Sequence, residues 1–218
     1  MTEDEAWRLS AAEMVRRLGR LPPEVARAMR SVPRHRFVPA ALQGEAYRDE
    51  PLPISEGPST ISAPHMVAIQ LEWLELAPGF KVLEVGAGLG YLAALVAETC
   101  GPSGRVFAME IDPELAREAE RRLHEAGYGA RVQVRAGDGS IGWPEQPPFD
   151  RIVISCATPS ILPAWKAQLA EGGLVVAPVG DSWDQLLVSE RKRGGKFTRR
   201  EGPRCRFVGI RGSVQIPI

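Results

Sequence analysis

The segment Val82-Leu83-Glu84-Val85-Gly86-Ala87-Gly88-Leu89-Gly90-Tyr91 restricts what this chain can fold into more than any other stretch. An apolar run carrying one acid leads into three glycines at alternate positions. Tyr91–Cys100 follows, rich in Ala and Leu as a buried helix would be. Glycine tolerates positive φ and has no Cβ, so a ligand can lie against bare backbone at the carboxyl end of the strand.

Strand and helix patterns continue to alternate downstream. Arg105–Glu110 reads as a second strand. The following helix, 113–126, has Asp112 as its N-cap and Gly127 as its stop signal. Residues 131–135 and 150–156 read as a third and fourth strand, 161–170 as a helix and 173–179 as a fifth strand. Such alternation predicts an α/β chain with a doubly wound, Rossmann-like parallel sheet. Residues 185–191 and 204–211 then predict a terminal antiparallel pair around Gly194-Gly195. Upstream, residues 1–75 show helical spacing broken by Pro, with an irregular Pro-, Gly- and Ser-rich stretch over 32–64. The expected organisation is an N-terminal helical and lid segment, 1–75, and a ligand-binding core with its hairpin, 76–218, joined in one compact unit.

The spacing of the glycines selects the ligand. Gly86, Gly88 and Gly90 give G-x-G-x-G, whereas a dinucleotide fingerprint needs G-x-G-x-x-G. Together with Glu84 just before the turn, this favours S-adenosylmethionine over NAD. The first three strands also end in suitable residues: Glu84, then Glu110 with Ile111, then Asp138-Gly139. Glu110 is placed to accept the ribose hydroxyls, and Asp138-Gly139 lies where an acid meets an adenine amino group. Singly, each reads as an ordinary strand-end acid or turn; in order, after successive strands, they mark a nucleoside site. There is no G-x-x-x-x-G-K-[ST] loop, and His35, His65 and His124 lack ligands at metal spacing. His124 reads as a surface residue, and His35 as structural or at an anion-binding edge.

Bulk properties narrow the partners. Lys plus Arg and Asp plus Glu number 27 each, so no global attraction to nucleic acid or an anionic membrane is expected. The cations clustered between Arg191 and Arg206 are interrupted by Glu190 and Glu201 and read as a solvated hairpin. No apolar run is long enough to span a membrane. Cys100, Cys156 and Cys205 form neither a disulfide framework nor a zinc spacing, which suits a reducing cytoplasm. A soluble, cytoplasmic monomer is the expectation.

Three further segments sharpen the reading. They are Val32-Pro33-Arg34-His35-Arg36-Phe37-Val38-Pro39, then Ala46-Tyr47-Arg48-Asp49 with Pro51-Leu52-Pro53-Ile54, then Thr60-Ile61-Ser62-Ala63-Pro64-His65-Met66. With the glycine loop, Gly137-Asp138-Gly139 and Pro148-Phe149-Asp150, they make the chain resemble the protein-L-isoaspartate O-methyltransferase family from about residue 32 to 180. The resemblance implies transfer of a methyl group from S-adenosylmethionine to the free α-carboxylate of L-isoaspartyl residues in damaged proteins or peptides, leaving S-adenosyl-L-homocysteine. The ester then collapses to a succinimide that opens partly to aspartate. By the same resemblance Ser62 matches the active-site serine, and Thr60 and Ile61 lie in the loop over the cofactor. Glu84, Gly86, Ala87, Gly88, Gly90, Glu110, Ile111, Asp138 and Gly139 match the cofactor site. Val208 and Gly209 contribute to the substrate pocket, where Val208-Gly209-Ile210 stands in place of a Val-Pro-Leu stretch. Two alternatives remain at this stage: a carboxyl methyltransferase acting on normal aspartate in a dedicated peptide, and a cofactor-binding adaptor without turnover.

The chemistry agrees with these residue types. An α-carboxyl group ionises near pH 3.5, so at neutrality the acceptor is already an anion and needs no general base. Ser62 then positions the carboxylate, and it reads also as the N-cap of a helix with Pro64 in its first turn.

Overall fold

The computed structural model describes residues 2–214. Helix α1 (Glu3–Arg17) opens with a Thr2–Glu5 capping box, and α2 (Pro23–Ser31) starts on a proline whose missing N–H costs nothing there. Two 3-10 turns, Arg34–Phe37 and Ala40–Glu45, carry the chain to the short strands β1 (Leu52–Pro53) and β2 (Thr60–Ile61). These pair as a two-rung antiparallel ladder, Leu52 with Ile61 and Pro53 with Thr60. Sequence periodicity shows no strands here, because two residues are too short to alternate.

From α3 (Pro64–Leu74) onward the chain builds one sheet. Its elements are β3 (Lys81–Val85), α4 (Tyr91–Cys100), β4 (Arg105–Glu110), α5 (Pro113–Glu125), β5 (Val132–Ala136) and β6 (Phe149–Ile154). They are followed by α6 (Pro163–Ala167), β7 (Leu169–Gly180), β8 (Gln185–Arg193) and β9 (Lys196–Cys205). The strand order is β5-β4-β3-β6-β7-β8-β9, parallel through β7 and antiparallel thereafter. The expected doubly wound sheet with a terminal antiparallel extension is therefore present. Because the chain leaves β3 toward β4 and returns to β6 on its other side, the switch in strand order falls at the carboxyl end of β3, where α/β sheets bind ligands.

Alternate residues of each strand supply opposite faces. Val82, Val106, Ala108 and Val153 join α3, α4 and the N-terminal helices in one core, which includes Met14, Met29, Phe37 and Leu95. Leu83, Phe107, Ile152 and Ile154 point the other way, toward Trp143, Phe149 and Trp165. Each such buried apolar side chain contributes roughly 1.5–3 kcal/mol. The N-terminal helices thus share a core with the sheet face that carries the glycine loop.

Two sequence expectations need correction. The helix expected over 161–170 is confined to Pro163–Ala167, and β7 begins at Leu169 rather than Gly173. Leu169 pairs with Phe149, and a register irregularity absorbs Gly172-Gly173 before Leu174 pairs with Arg151. The expected strand over 204–211 is instead β9, ending at Cys205. β9 is an edge strand whose exposed, charged residues and Pro203 hide the period-2 signal while discouraging edge-to-edge pairing. Several hairpin cations meet carboxylates: Arg199 with Glu190 and Glu201, Arg191 with Glu75 and Arg204 with Asp184, while Lys166 of α6 also meets Glu190. Beyond Cys205 the chain leaves the sheet edge and crosses the carboxyl ends of the strands.

Candidate active site

The glycine loop is fastened to the neighbouring strand. The Gly86 and Ala87 N–H groups both donate to the Met109 carbonyl, at 2.8 and 3.0 Å, and Gly90 N–H closes the turn onto the Ala87 carbonyl. Gly88 has a φ of 55°, and a Cβ there would approach Ile54 Cδ1 at 2.9 Å. Ile54 comes from the β1–β2 hairpin, which therefore sits directly over the loop. Gly90, at φ 91°, is the N-cap of α4 and faces Leu123 of α5. It shapes the turn and lines neither of the two clefts around the loop.

The first of these clefts, about 250 Å³, runs along the carboxyl ends of β3 and β4 and brings together Thr60, Gly86, Gly88, Glu110, Ile111, Gly139, Val208 and Gly209. Glu110 accepts from Gly88 N–H at 2.8 Å and from Asp112 N–H at 3.1 Å. Burial raises its pKa, and those two hydrogen bonds and Arg211, 4.0 Å away, oppose the shift. Gly139 lines the same cleft; a Cβ there would meet Val85 Cγ1 at 2.4 Å, so only glycine lets strand β3 and the Asp138 turn close together. Asp138 itself is not among the residues lining this cleft. Its carboxylate accepts Ser140 N–H and both the N–H and hydroxyl of Ser213. Burial pushes its pKa up, but these hydrogen bonds outweigh it and hold the group at about 2.

A second, smaller cleft continues beneath the loop and holds Thr60, Ile61, Ser62, Glu84, Gly86, Ala87 and Gly88, with Gln70. Glu84 is fully buried, and neither carboxylate oxygen has a hydrogen-bond partner among the described residues. Burial, reinforced by the nearby Glu110 charge, raises its pKa well above the ordinary range. A carboxylate so placed is costly unless a cation or donor meets it.

The Ser62 side chain is half-buried and has no hydrogen-bond partner among the described residues. It is not a helix cap: the N-cap of α3 is Ala63, with no side-chain bond, because Pro64 at N1 shifts the start of the helix by one residue. What holds Ser62 is Arg34. That guanidinium is fully buried and donates through Nη2 to the Ser62 carbonyl at 2.8 Å and through Nε to the Ala46 carbonyl at 2.7 Å. It lies over the Tyr91 ring, 4.9 Å from the centroid. Burial lowers the Arg34 pKa and pushes that of Tyr91 up to about 12.

A third cleft, about 260 Å³, opens on the other side of Ser62, between Pro51, Ala63 and His65 on one wall and residues 204–208 on the other. Ser155, immediately after β6, lines all three clefts, and its buried hydroxyl has no partner among the described residues. Arg34, Ser155, Arg211 and the 204–206 wall were not among the site residues expected from sequence. Their only signal was position: inside the Val-Pro-Arg segment, at the end of the fourth strand, or in the basic hairpin. The structure brings Val208 and Gly209 to the junction by a different route from a strand: Ala157 N–H donates to the Val208 carbonyl and accepts Ile210 N–H on its own carbonyl. Among the described residues no group of His, Cys, Asp and Glu is arranged to hold a metal ion, and no helix is long and apolar enough to cross a membrane.

Comparison with known proteins meets this geometry. A family profile described as protein-L-isoaspartate(D-aspartate) O-methyltransferase matches residues 12–215. The chain is 47% identical to the protein-L-isoaspartate O-methyltransferase of Hyperthermus butylicus, covering 97% of this chain and 92% of that one. It is 46% identical to that of Methanopyrus kandleri, covering 96% and 95%. Among solved structures, a protein-L-isoaspartate O-methyltransferase superposes with a TM-score of 0.85 at 28% identity, over 95% of this chain and 67% of the other. A Plasmodium falciparum protein given the same name, solved with S-adenosyl-L-homocysteine, shares the fold at a TM-score of 0.82 and 22% identity, over 94% and 98%. The chain belongs to the protein-L-isoaspartate (D-aspartate) O-methyltransferase family.

Proposed function

We propose that this protein uses S-adenosylmethionine to methylate the free α-carboxylate of L-isoaspartyl residues, with Ser62 as the residue that aligns the acceptor. The observation that carries the assignment of roles is the Ser62 hydroxyl, without a partner among the described residues, at the junction of the Glu84 cleft and the open third cleft. The cofactor fits the first two clefts by chemistry. The orphaned Glu84 carboxylate asks for a cation such as the methionine ammonium, Glu110 offers acceptors for ribose hydroxyls, and Gly88 and Gly139 leave the space a Cβ would fill. Thr60, Ile61, Gly86, Ala87 and Ile111 contribute walls, and Asp138 retains unused lone pairs for an adenine amino group. When bound, the cofactor supplies an electrophilic methyl group.

The protein's own residues then have a limited task. The acceptor is an anion at neutral pH, so no side chain needs to remove a proton. Ser62 donates its hydroxyl to the carboxylate, Arg34 fixes the backbone that carries Ser62, and Val208 with the β1–β2 hairpin keeps water away. Alignment of this kind accounts for roughly 7–11 kcal/mol in well-oriented intramolecular reactions. The products are the methyl ester and S-adenosyl-L-homocysteine, and the ester's collapse to succinimide needs no further residue.

We also place the protein in a reducing cytoplasm as a monomer, without nucleic-acid or membrane partners. Its three cysteines are free, and the exposed large hydrophobics among the described residues, Leu9, Ile141 and Trp183, sit in three widely separated parts of the sequence. The deciding assay offers matched isoaspartyl and aspartyl peptides with labelled cofactor. Methyl incorporation is expected only into the isoaspartyl peptide. Ser62→Ala should lower kcat by roughly 10- to 150-fold, the value of a hydrogen bond to a charged group, with cofactor affinity changed less than about twofold. Parallel loss of cofactor affinity would reduce Ser62 to a structural role.

A further inference from the structure

The third cleft carries charge in an uneven way. Its lining includes three groups that are or can become cationic: His65, Arg204 and Arg206. His65 is spoken for, since both its backbone N–H and Nδ1 meet Asp49 Oδ1, at 2.8 and 2.9 Å. Arg204 is likewise paired, with Asp184 at 2.6 Å. Arg206 is exposed and has neither an ion pair nor a side-chain hydrogen bond among the described residues.

Arg206 is also presented from a fixed backbone. Cys205, just before it, is the last residue of β9 and pairs with Gln185. Phe207, just after it, is held at both ends of its peptide unit by the buried Gln185 amide: its N–H donates to Oε1 at 2.7 Å, and its carbonyl accepts Nε2 at 3.2 Å. The Arg206 guanidinium, unpartnered among the described residues, thus extends from a backbone held on both sides and lines the cleft into which Ser62 opens. Asp49 does not line the cleft but supplies negative charge beside His65 on the opposite wall.

We infer that Arg206 is the specificity-determining residue of the acceptor cleft, and that it selects isoaspartyl peptides bearing a carboxylate side chain next to the damaged residue. This rests on the assignment of the third cleft to the acceptor. Guanidinium and carboxylate match as a forked pair, and an acid on that flank meets the one lining cation that has no partner among the described residues. A basic side chain on the same flank meets repulsion.

The test uses the full chain and a set of isoaspartyl peptides identical except for Glu, Gln or Lys at each of the two positions on either side. With the unaltered protein, Glu at one flanking position should give a KM about two- to fivefold below that of Gln, as an exposed pair allows, with kcat unchanged. The advantage should shrink in high salt, where exposed charges are screened. Arg206→Gln should remove it, and Arg206→Glu should transfer it to the Lys peptide, while S-adenosyl-L-homocysteine affinity stays constant as a control for folding. Equal KM values for Glu and Gln peptides at every position would overturn the inference, as would a Glu advantage that survives in Arg206→Gln. So would an equal fall in kcat for all peptides, which would assign Arg206 to the reacting carboxylate. Failure to methylate any isoaspartyl peptide would instead overturn the acceptor reading, and this inference with it.

Discussion

The two sides of the site are built by different means. On the cofactor side, Glu84, the glycine loop, Glu110 and Gly139 follow three adjacent parallel strands and reach one another through short, local turns. On the acceptor side, Arg34, Ser62, Ser155 and residues 204–208 converge from four distant parts of the chain. The first side is fixed by the sheet itself, because each functional residue ends a strand whose register is set by its neighbours. The second is fixed by individual polar contacts, such as Arg34 to Ser62 or Gln185 to Phe207. On the assignment proposed above, chemistry common to a cofactor falls to the stiff part, and discrimination between acceptors to the part held by single bonds.

The sharpest way to break this division is Glu84→Gln, for which we expect the largest effect. Removing the charge should weaken S-adenosyl-L-homocysteine binding roughly 10- to 150-fold in titration calorimetry, if Glu84 makes the expected charge-assisted contact. The pH dependence has a definite sign. Burial, then Glu110, raises the Glu84 pKa in the ligand-free folded protein above its ordinary value of 4.5. The folded state therefore retains a proton that the unfolded chain releases, and stability from this group is lost as pH rises from about 4.5 through the raised folded-state pKa. A ligand ammonium favours the ionised form, so cofactor binding should release a proton and strengthen with pH over the same window. Glu84→Gln should flatten both dependences and raise the ligand-free melting temperature relative to the unaltered protein on the alkaline side. Unchanged affinity in this variant would remove Glu84 from the cofactor side altogether.

Next in size is Arg34→Gln, which attacks only the acceptor side. It should orphan the Ala46 and Ser62 carbonyls, at about 1–3 kcal/mol each, and lower kcat on an isoaspartyl peptide about tenfold. Cofactor affinity should change less than about threefold. Denaturant unfolding monitors the stability loss, and Arg34→Lys, which keeps a charge but not the fork, should recover stability better than turnover. A proportional fall in cofactor affinity would show that the two sides are not separable.

What was legible in the sequence follows the same line. The parallel strands, the Asp112 cap and the Gly127 stop are local signals, and the structure places them within about two residues, except for β7, which begins four residues early at Leu169. The expected cofactor residues gather in two adjoining clefts, with two refinements. Gly90 turns toward α5, and Asp138 is engaged by Ser213, whose contact spans 75 residues and has no local signature. Ser62 was singled out only through a segment match. The role of Arg34 as its support was not visible, because a buried arginine bonded to carbonyls looks in sequence like any surface cation. The misread strand at 204–211 has the same cause. Its residues end β9 and then obey a contact with Ala157, an element about fifty positions earlier, rather than any period of their own.

The smallest expected effect is the one that joins the two sides. Arg211 leaves the acceptor wall after Ile210 and reaches the cofactor side, where its guanidinium lies 4.0 Å from Glu110. Half of the Arg211 side chain is exposed, so solvent screens the pair, and its removal should matter by no more than about 1 kcal/mol. Its sign is nevertheless informative. The Arg211 charge favours the ionised Glu110, which is the form best able to accept two ribose hydroxyls, against the burial that favours the protonated one. Arg211→Ala should therefore weaken S-adenosyl-L-homocysteine binding less than about fivefold at low salt, and the difference should fade as ionic strength rises. Unlike Arg206, Arg211 should leave the ranking of acceptor peptides unchanged. If Arg211→Ala altered that ranking instead, the segment 206–211 would be acting as a single acceptor-side element, and the line between the two sides would fall at Glu110 rather than within the C-terminal segment.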